Sequence, residues 1–160
     1  MSECAVPRLL GQGFFWNDLS AGDCFRTIRR TVTEADLVNF IGVTGMLESI
    51  FIDVGEQGGA IGGRPVPAAL TYALIEGLLV QTMIQGTGLA LLEVHQRVLA
   101  PVRVGDSVSG VVEGLEVRPT SKGGRGIVRS SVEVRSQREE PVMTYTVSRL
   151  LAGRPAAVPQ

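Results

Sequence analysis

From Gly88 onward the chain alternates apolar and polar residues in four long runs. In Gly88 to Val98, Ala90, Leu92, Val94 and Val98 share one side, while Leu91, Glu93, His95 and Arg97 share the other. In Gly126 to Ser136, Val128, Val132 and Val134 oppose Arg129, Glu133 and Arg135. A period of two predicts half-buried antiparallel strands, here over 88–98, 107–119, 126–136 and 141–151. The stretches PVRVGD, TSKGGR and QREE between them carry turn chemistry, and TSKGGR reads as a hairpin turn rather than a phosphate nest. Upstream, NDLSAGDCF makes a turn and CFRTIRRTV alternates well enough to enter an earlier strand.

Two segments follow a helical period instead. Thr33 starts the first: its hydroxyl can cap the opening turn, Glu34 and Asp36 put negative charge near the positive helix end, and Ala35, Leu37, Val38, Phe40 and Ile41 supply an apolar face. Gly42 and Gly45 close it. The second runs from Ala68 to about Gln85 and is apolar nearly all round, so it needs covering on almost every side. Between them EQGGAIGGR has neither period and reads as a surface loop. One long apolar helix and at least five strands predict an α+β fold in which a curved antiparallel sheet wraps the helix. Residues 1–152 form a single domain on this reading, and GRPAAVPQ, 153–160, is a frayed tail.

Composition narrows the partners. The chain has 160 residues, 44% of them apolar, enough for one sizeable core. Fifteen basic and sixteen acidic residues nearly cancel, so no long-range field recruits nucleic acid or an anionic membrane. Cys4 and Cys24 are too few for a disulfide framework or a zinc site, no metal is expected, and no transmembrane segment or signal sequence is evident. A cytoplasmic setting is the expectation. Glycines 58, 59, 62 and 63 lack the following Lys-Ser/Thr pair of a phosphate loop.

Four landmarks occur in order: FFWNDLSAGDCF, TVTEADLVNFIGVTG, GRPVPAALTYALIEGLL and VLAPVRVGDSV. Together they resemble the MaoC-like hydratase/dehydratase family of hotdog proteins. The resemblance implies a hotdog fold, a homodimer, and a site for acyl thioesters of coenzyme A, bound as substrate or ligand with no further cofactor. The family's usual reaction adds or removes water at a 2-enoyl thioester. Its segment after the first helix resembles T-G-D-x-N-P-x-H-x-D, in which the first aspartate and the histidine grip water and move protons. Here Thr44 and Gly45 match, Met46 takes the aspartate position, Glu48 the asparagine, Ser49 the proline, Phe51 the histidine and Asp53 the final aspartate.

Water addition needs a base and an acid. A thioether and a phenyl ring carry no exchangeable proton, so Met46 and Phe51 leave both jobs vacant. Glu48 is the candidate replacement, for hydration or for thioester hydrolysis, weighed against a solvated loop glutamate. His95, the only histidine, falls with Glu93 and Arg97 on the outer face of its strand, and Asp53 can simply hold the loop. The resemblance also implies that backbone amides near Ala68 and Ala69, reached through Val66 and Pro67, hydrogen-bond the thioester oxygen. The alternative is that Val66, Pro67 and Ala68 only shape the helix start. Arg64, Arg103, Arg118 and Arg125 are candidates for the phosphates of coenzyme A. A non-catalytic acyl-CoA-binding or assembly subunit fits the same residues.

Overall fold

In a computed structural model, residues 10–55 and 64–155 are described. The sheet contains β1 (Cys24–Arg26), β2 (Arg30–Thr31), β3 (Gly88–Val98), β4 (Ser107–Pro119), β5 (Arg125–Arg135) and β6 (Pro141–Ala152). The order is β1-β4-β5-β6-β3, with β2 also on β4 and every pairing antiparallel. The early strand is thus split into two short pieces on one neighbour. The glycines 58, 59, 62 and 63 lie outside the described residues.

Helix α1 (Glu34–Thr44) forms as its sequence dictates. The Thr33 hydroxyl accepts the Asp36 N–H, the Asp36 carboxylate accepts the Thr33 N–H, and Gly45 ends the helix at φ 70°. Asp36 is held below the usual carboxylate range, first by the Thr33 backbone hydrogen bond. Gly42 stays inside the helix, and Ala35 and Val38, expected on its apolar face, are exposed. A second, four-residue helix, α2 (Ser49–Ile52), follows Glu48 and has no period long enough to see in the sequence. Helix α3 (Ala68–Thr82) ends about a turn before the expected Gln85.

The core lies between α3 and one face of the sheet. Leu70, Leu74, Ile75 and Leu79 of α3 meet Val112, Val128, Val132, Val134, Met143, Tyr145, Val147 and Leu151, all buried. The period-two reading holds along β5 and along β6 from Met143 onward; a register shift at the start of β6 leaves Val142 and Met143 both buried. That of β3 needs correction: register shifts at 88–90 and 91–93 put Leu91 opposite Arg149, on the helix side, and Ala90 opposite Leu150, on the outer side. A bulge inserts one residue and reverses the alternation beyond it, so Leu91 does not share a side with Glu93, His95 and Arg97. Nor is α3 covered all round: Ala69, Ala73 and Val80 are exposed.

A 3-10 turn at Trp16–Asp18 packs across the far end of the sheet. Gly126 and Gly153 make room for its indole, since a Cβ on either would lie 2.5 Å from the Trp16 ring carbons or 2.9 Å from Nε1. The first residues of the stretch 153–160 are held, and 156–160 lie outside the described residues. Gly153 N–H donates to the Gly124 carbonyl at 2.7 Å, and Arg154 binds Asp18 at 2.7 Å and lies over the Phe15 ring.

Candidate functional site

The mouth of α3 is built by three segments. Val66 N–H donates to the Val102 carbonyl at 2.8 Å, and Pro65 bridges Arg103, so the chain enters the helix pinned to the turn between β3 and β4. Pro67 is the N-cap residue and has no side chain to accept from the first turn. The backbone bonds of that turn begin with Leu70 N–H donating to the Pro67 carbonyl. The Ala68 and Ala69 amides therefore point into the positive end of a fifteen-residue helix with no cap acceptor among the described residues. Ala68 is half-buried and Ala69 exposed.

Beside these amides lies a cavity of about 30 Å³, lined by Val66, Ala68, Thr71, Val98, Val102 and Met143 among others. It has room for roughly a water molecule or two, and no carboxyl, imidazole or thiol lines it.

Arg64 ties the segment after α1 to this mouth. Its guanidinium donates to Glu34 at 2.5 Å and to the Phe51 carbonyl at 3.4 Å, which fastens α2 beside the strand that feeds α3. Phe51 is half-buried against the core, and Met46 is 37% exposed. Glu48 is exposed, and its carboxylate accepts from the Ser49 N–H and hydroxyl, each at 3.2 Å, at the N-cap of α2. Asp53 accepts the Gly55 N–H at 2.7 Å, a local turn. The Thr44 hydroxyl donates to the Phe40 carbonyl within α1, and Gly45 caps that helix. Of the segment's polar side chains, those of Thr44, Glu48, Ser49 and Asp53 thus have recorded bonds that shape the local backbone.

His95 lies on the outer face, 68% exposed, and meets Glu93 at 2.9 Å. The arginines offered to phosphate are in part committed elsewhere: Arg64 to Glu34 and Arg118 to Glu116.

Sequence reasoning passed over a charged cluster under α3. Arg149 donates to both oxygens of Glu76, at 2.6 and 2.8 Å, and the Tyr145 hydroxyl donates to the same carboxylate at 2.7 Å. Tyr72 stacks edge-on against Tyr145, with ring centroids 5.1 Å apart. Burial, then the Glu76 charge, raises both phenols above their ordinary value. The signal was a glutamate in the middle of an apolar helix and an arginine at an inward position of β6.

No protein-family model matches the sequence, and no curated protein matches it. Solved structures do. A MaoC-like dehydratase from Rhodospirillum rubrum is 25% identical over 90% of this chain and 100% of its own, with a TM-score of 0.78. The R-hydratase PhaJ1 from Pseudomonas aeruginosa is 23% identical over 93% and 96%, with a TM-score of 0.73. A Mycobacterium tuberculosis protein described as a double hotdog fold is 18% identical; the match covers 92% of this chain and 47% of that one, with a TM-score of 0.79. No helix among the described residues is long and apolar enough to cross a membrane. A wrapped antiparallel sheet, one long helix and these likenesses together identify the fold as a hotdog, the fold of the MaoC-like dehydratase that this chain resembles.

Proposed function

We propose that the chain binds an acyl thioester of coenzyme A at the mouth of α3 and does not carry out two-residue hydration there. The observation that carries this reading is the mouth itself. Two uncapped amides stand at the helix's positive end beside a cavity with no ionisable lining. The amides supply what a thioester oxygen needs. Nothing in the lining supplies what a water molecule needs before it can add to a double bond. Met46 and Phe51 fill the places where the resemblance expects a proton carrier, and Glu48 is turned to Ser49 as a helix cap. The reading of a non-catalytic binding subunit is therefore preferred over hydrolysis through Glu48. A second copy of the chain completes the cleft in a homodimer, consistent with the double hotdog in the M. tuberculosis relative.

The test is a panel of short and long enoyl, 3-hydroxyacyl and saturated acyl thioesters offered to purified protein. Binding is followed by calorimetry, double-bond loss by absorbance and thiol release with a chromogenic disulfide. Saturable binding with rates equal to buffer is the expected result. Turnover that Glu48→Gln abolishes would replace this reading with an enzymatic one, and no binding across the panel would remove it.

A further inference from the structure

A second cavity, of about 440 Å³, opens between the later turns of α3 and the start of β3. Val80, Ile84, Leu89, Leu91 and Leu151 give it apolar walls, and Glu76 and Arg149 add the charged groups. Val80, Leu89 and Leu91 are exposed, and large apolar side chains left open around a cavity with a few polar groups mark a ligand site. The ion pair uses one nitrogen of the arginine. Both contacts with Glu76 come from Nη2, whereas a guanidinium carries five N–H groups. Its Nε and Nη1 have no recorded partner among the described residues. The enclosed side-chain polar atoms that lack a partner are the hydroxyls of Thr87, Ser109 and Ser130. The two spare nitrogens are therefore not walled in, although Arg149 is only 5% exposed; they open on the cavity that its side chain lines.

A groove leads to this cavity from the mouth of α3. Ala69, Ala73, Glu76 and Val80 follow one another at spacings of three and four residues, one row on the helix surface. Facing that row, the helix side of β3 carries Val98, Gln96, Val94 and Leu91, the last directly opposite Arg149. The two alanines are exposed and leave open the space that larger side chains would fill. From Ala68 to Glu76 is eight residues, about 12 Å along the axis, the reach of an extended chain of about nine carbons. Such a chain ends some four residues of β6, about 13 Å, short of Gly153 and the indole seated there.

We infer that an acyl group held at the mouth runs down this groove and sets a neutral oxygen near its far end, a ketone, ester or hydroxyl on a chain otherwise apolar, against the spare N–H groups of Arg149. This rests on the thioester reading for the head of the ligand and on the cavity for its far end. The oxygen is neutral because Glu76 already meets the charge of Arg149, and a second carboxylate there would be repelled by the first. A plain hydrocarbon chain would cover the N–H groups, strip their water and return no hydrogen bond, which costs binding. Val80, Leu89 and Leu91 take the methyl end beyond the oxygen.

Calorimetry with three thioesters of coenzyme A tests it: decanoyl, the same chain with a ketone at its penultimate carbon, and a chain of the same length ending in a carboxylate. The ketone is expected to bind about tenfold tighter than decanoyl, as one hydrogen bond to a charged donor gives, and the carboxylate no tighter than decanoyl. Glu76→Leu/Arg149→Met, which leaves neither charge stranded, removes the preference for the ketone. Leu91→Trp, at an exposed position of the wall, narrows the cavity and weakens the ketone thioester about tenfold. Methyl heptyl ketone, which has no coenzyme A, separates this inference from the thioester reading. If no thioester binds, yet the free ketone binds the parent and not Leu91→Trp, the Arg149 site stands and the thioester reading falls. Equal affinities for decanoyl and its ketone, or a ketone preference that survives the double variant, overturn the Arg149 site and leave thioester binding at the mouth standing. No binding of any thioester or of the free ketone overturns both.

Discussion

Replacing Arg149 by Met is expected to be the most damaging single change to stability outside the apolar core. The parent side chain is 6% exposed and its guanidinium makes two contacts with Glu76, at 2.6 and 2.8 Å. Methionine fills much of the volume without charge, so the loss is almost wholly electrostatic. The carboxylate left behind keeps one hydrogen bond, from Tyr145. Removing one partner of a buried ion pair costs about 3–5 kcal/mol. Glu76 remains 17% exposed and can recruit some water, so the lower end, about 3 kcal/mol, is expected. In a chain of this size that corresponds to a fall in Tm of about 6–12 °C. Urea unfolding at one fixed protein concentration measures it. The decisive comparison is the double variant Glu76→Leu/Arg149→Met, which removes both charges and regains most of the loss, since a buried pair contributes little against a hydrophobic replacement. A single variant that costs under about 1 kcal/mol, or a double variant that costs the sum of the two singles, refutes the reasoning.

Three further outcomes are expected. Both tyrosines have folded pKa values raised above the ordinary 10, so the stability they contribute is complete below about pH 10 and is lost as pH rises above it; Tyr145→Phe makes the decline in urea midpoint between pH 10 and 11 measurably shallower. Thr33→Ala removes the cap of α1 and lowers stability by about 1 kcal/mol in the same unfolding assay. Gly126→Ala drives a methyl into the Trp16 ring, costs about 1–3 kcal/mol, and shifts the indole emission to longer wavelength in the folded protein.

The strands and the long helix were legible because their burial is one-sided and regular. Val128, Val132 and Val134 carry a period of two in β5 that only one sheet face explains. The bulges in β3 were not legible. They depend on which β6 residue sits opposite, and a run such as LALLEV looks equally apolar in either register, so Leu91 was placed on the wrong side. Helix α2 is four residues long, too short for any period to show, and forms where Glu48 caps it and Arg64 reaches across from a distant part of the chain. That Met46 and Phe51, at the places where the resemblance expects proton carriers, have no proton to move could be read from residue type alone, because no environment gives either side chain one. The size of the cavity could not, since it depends on how Val98 and Val102, from the end of β3 and the turn after it, and Met143 of β6 close over Ala68. The Glu76–Arg149–Tyr145 cluster was missed for a related reason: its members are 69 and 73 residues apart in the chain, and no local pattern links them.

The seat of Trp16 has a practical use. It is the only indole in the protein, lodged by two glycines at the end of β6 near Gly153, whereas the mouth of α3 lies by Val142 at that strand's beginning. Some ten extended residues, about 30 Å, separate the two. Its fluorescence is therefore a gauge of how firmly the N-terminal turn grips the sheet, blind to direct quenching by anything that enters the mouth. Any change in its emission on adding a thioester would mean that strain had travelled the length of the strand.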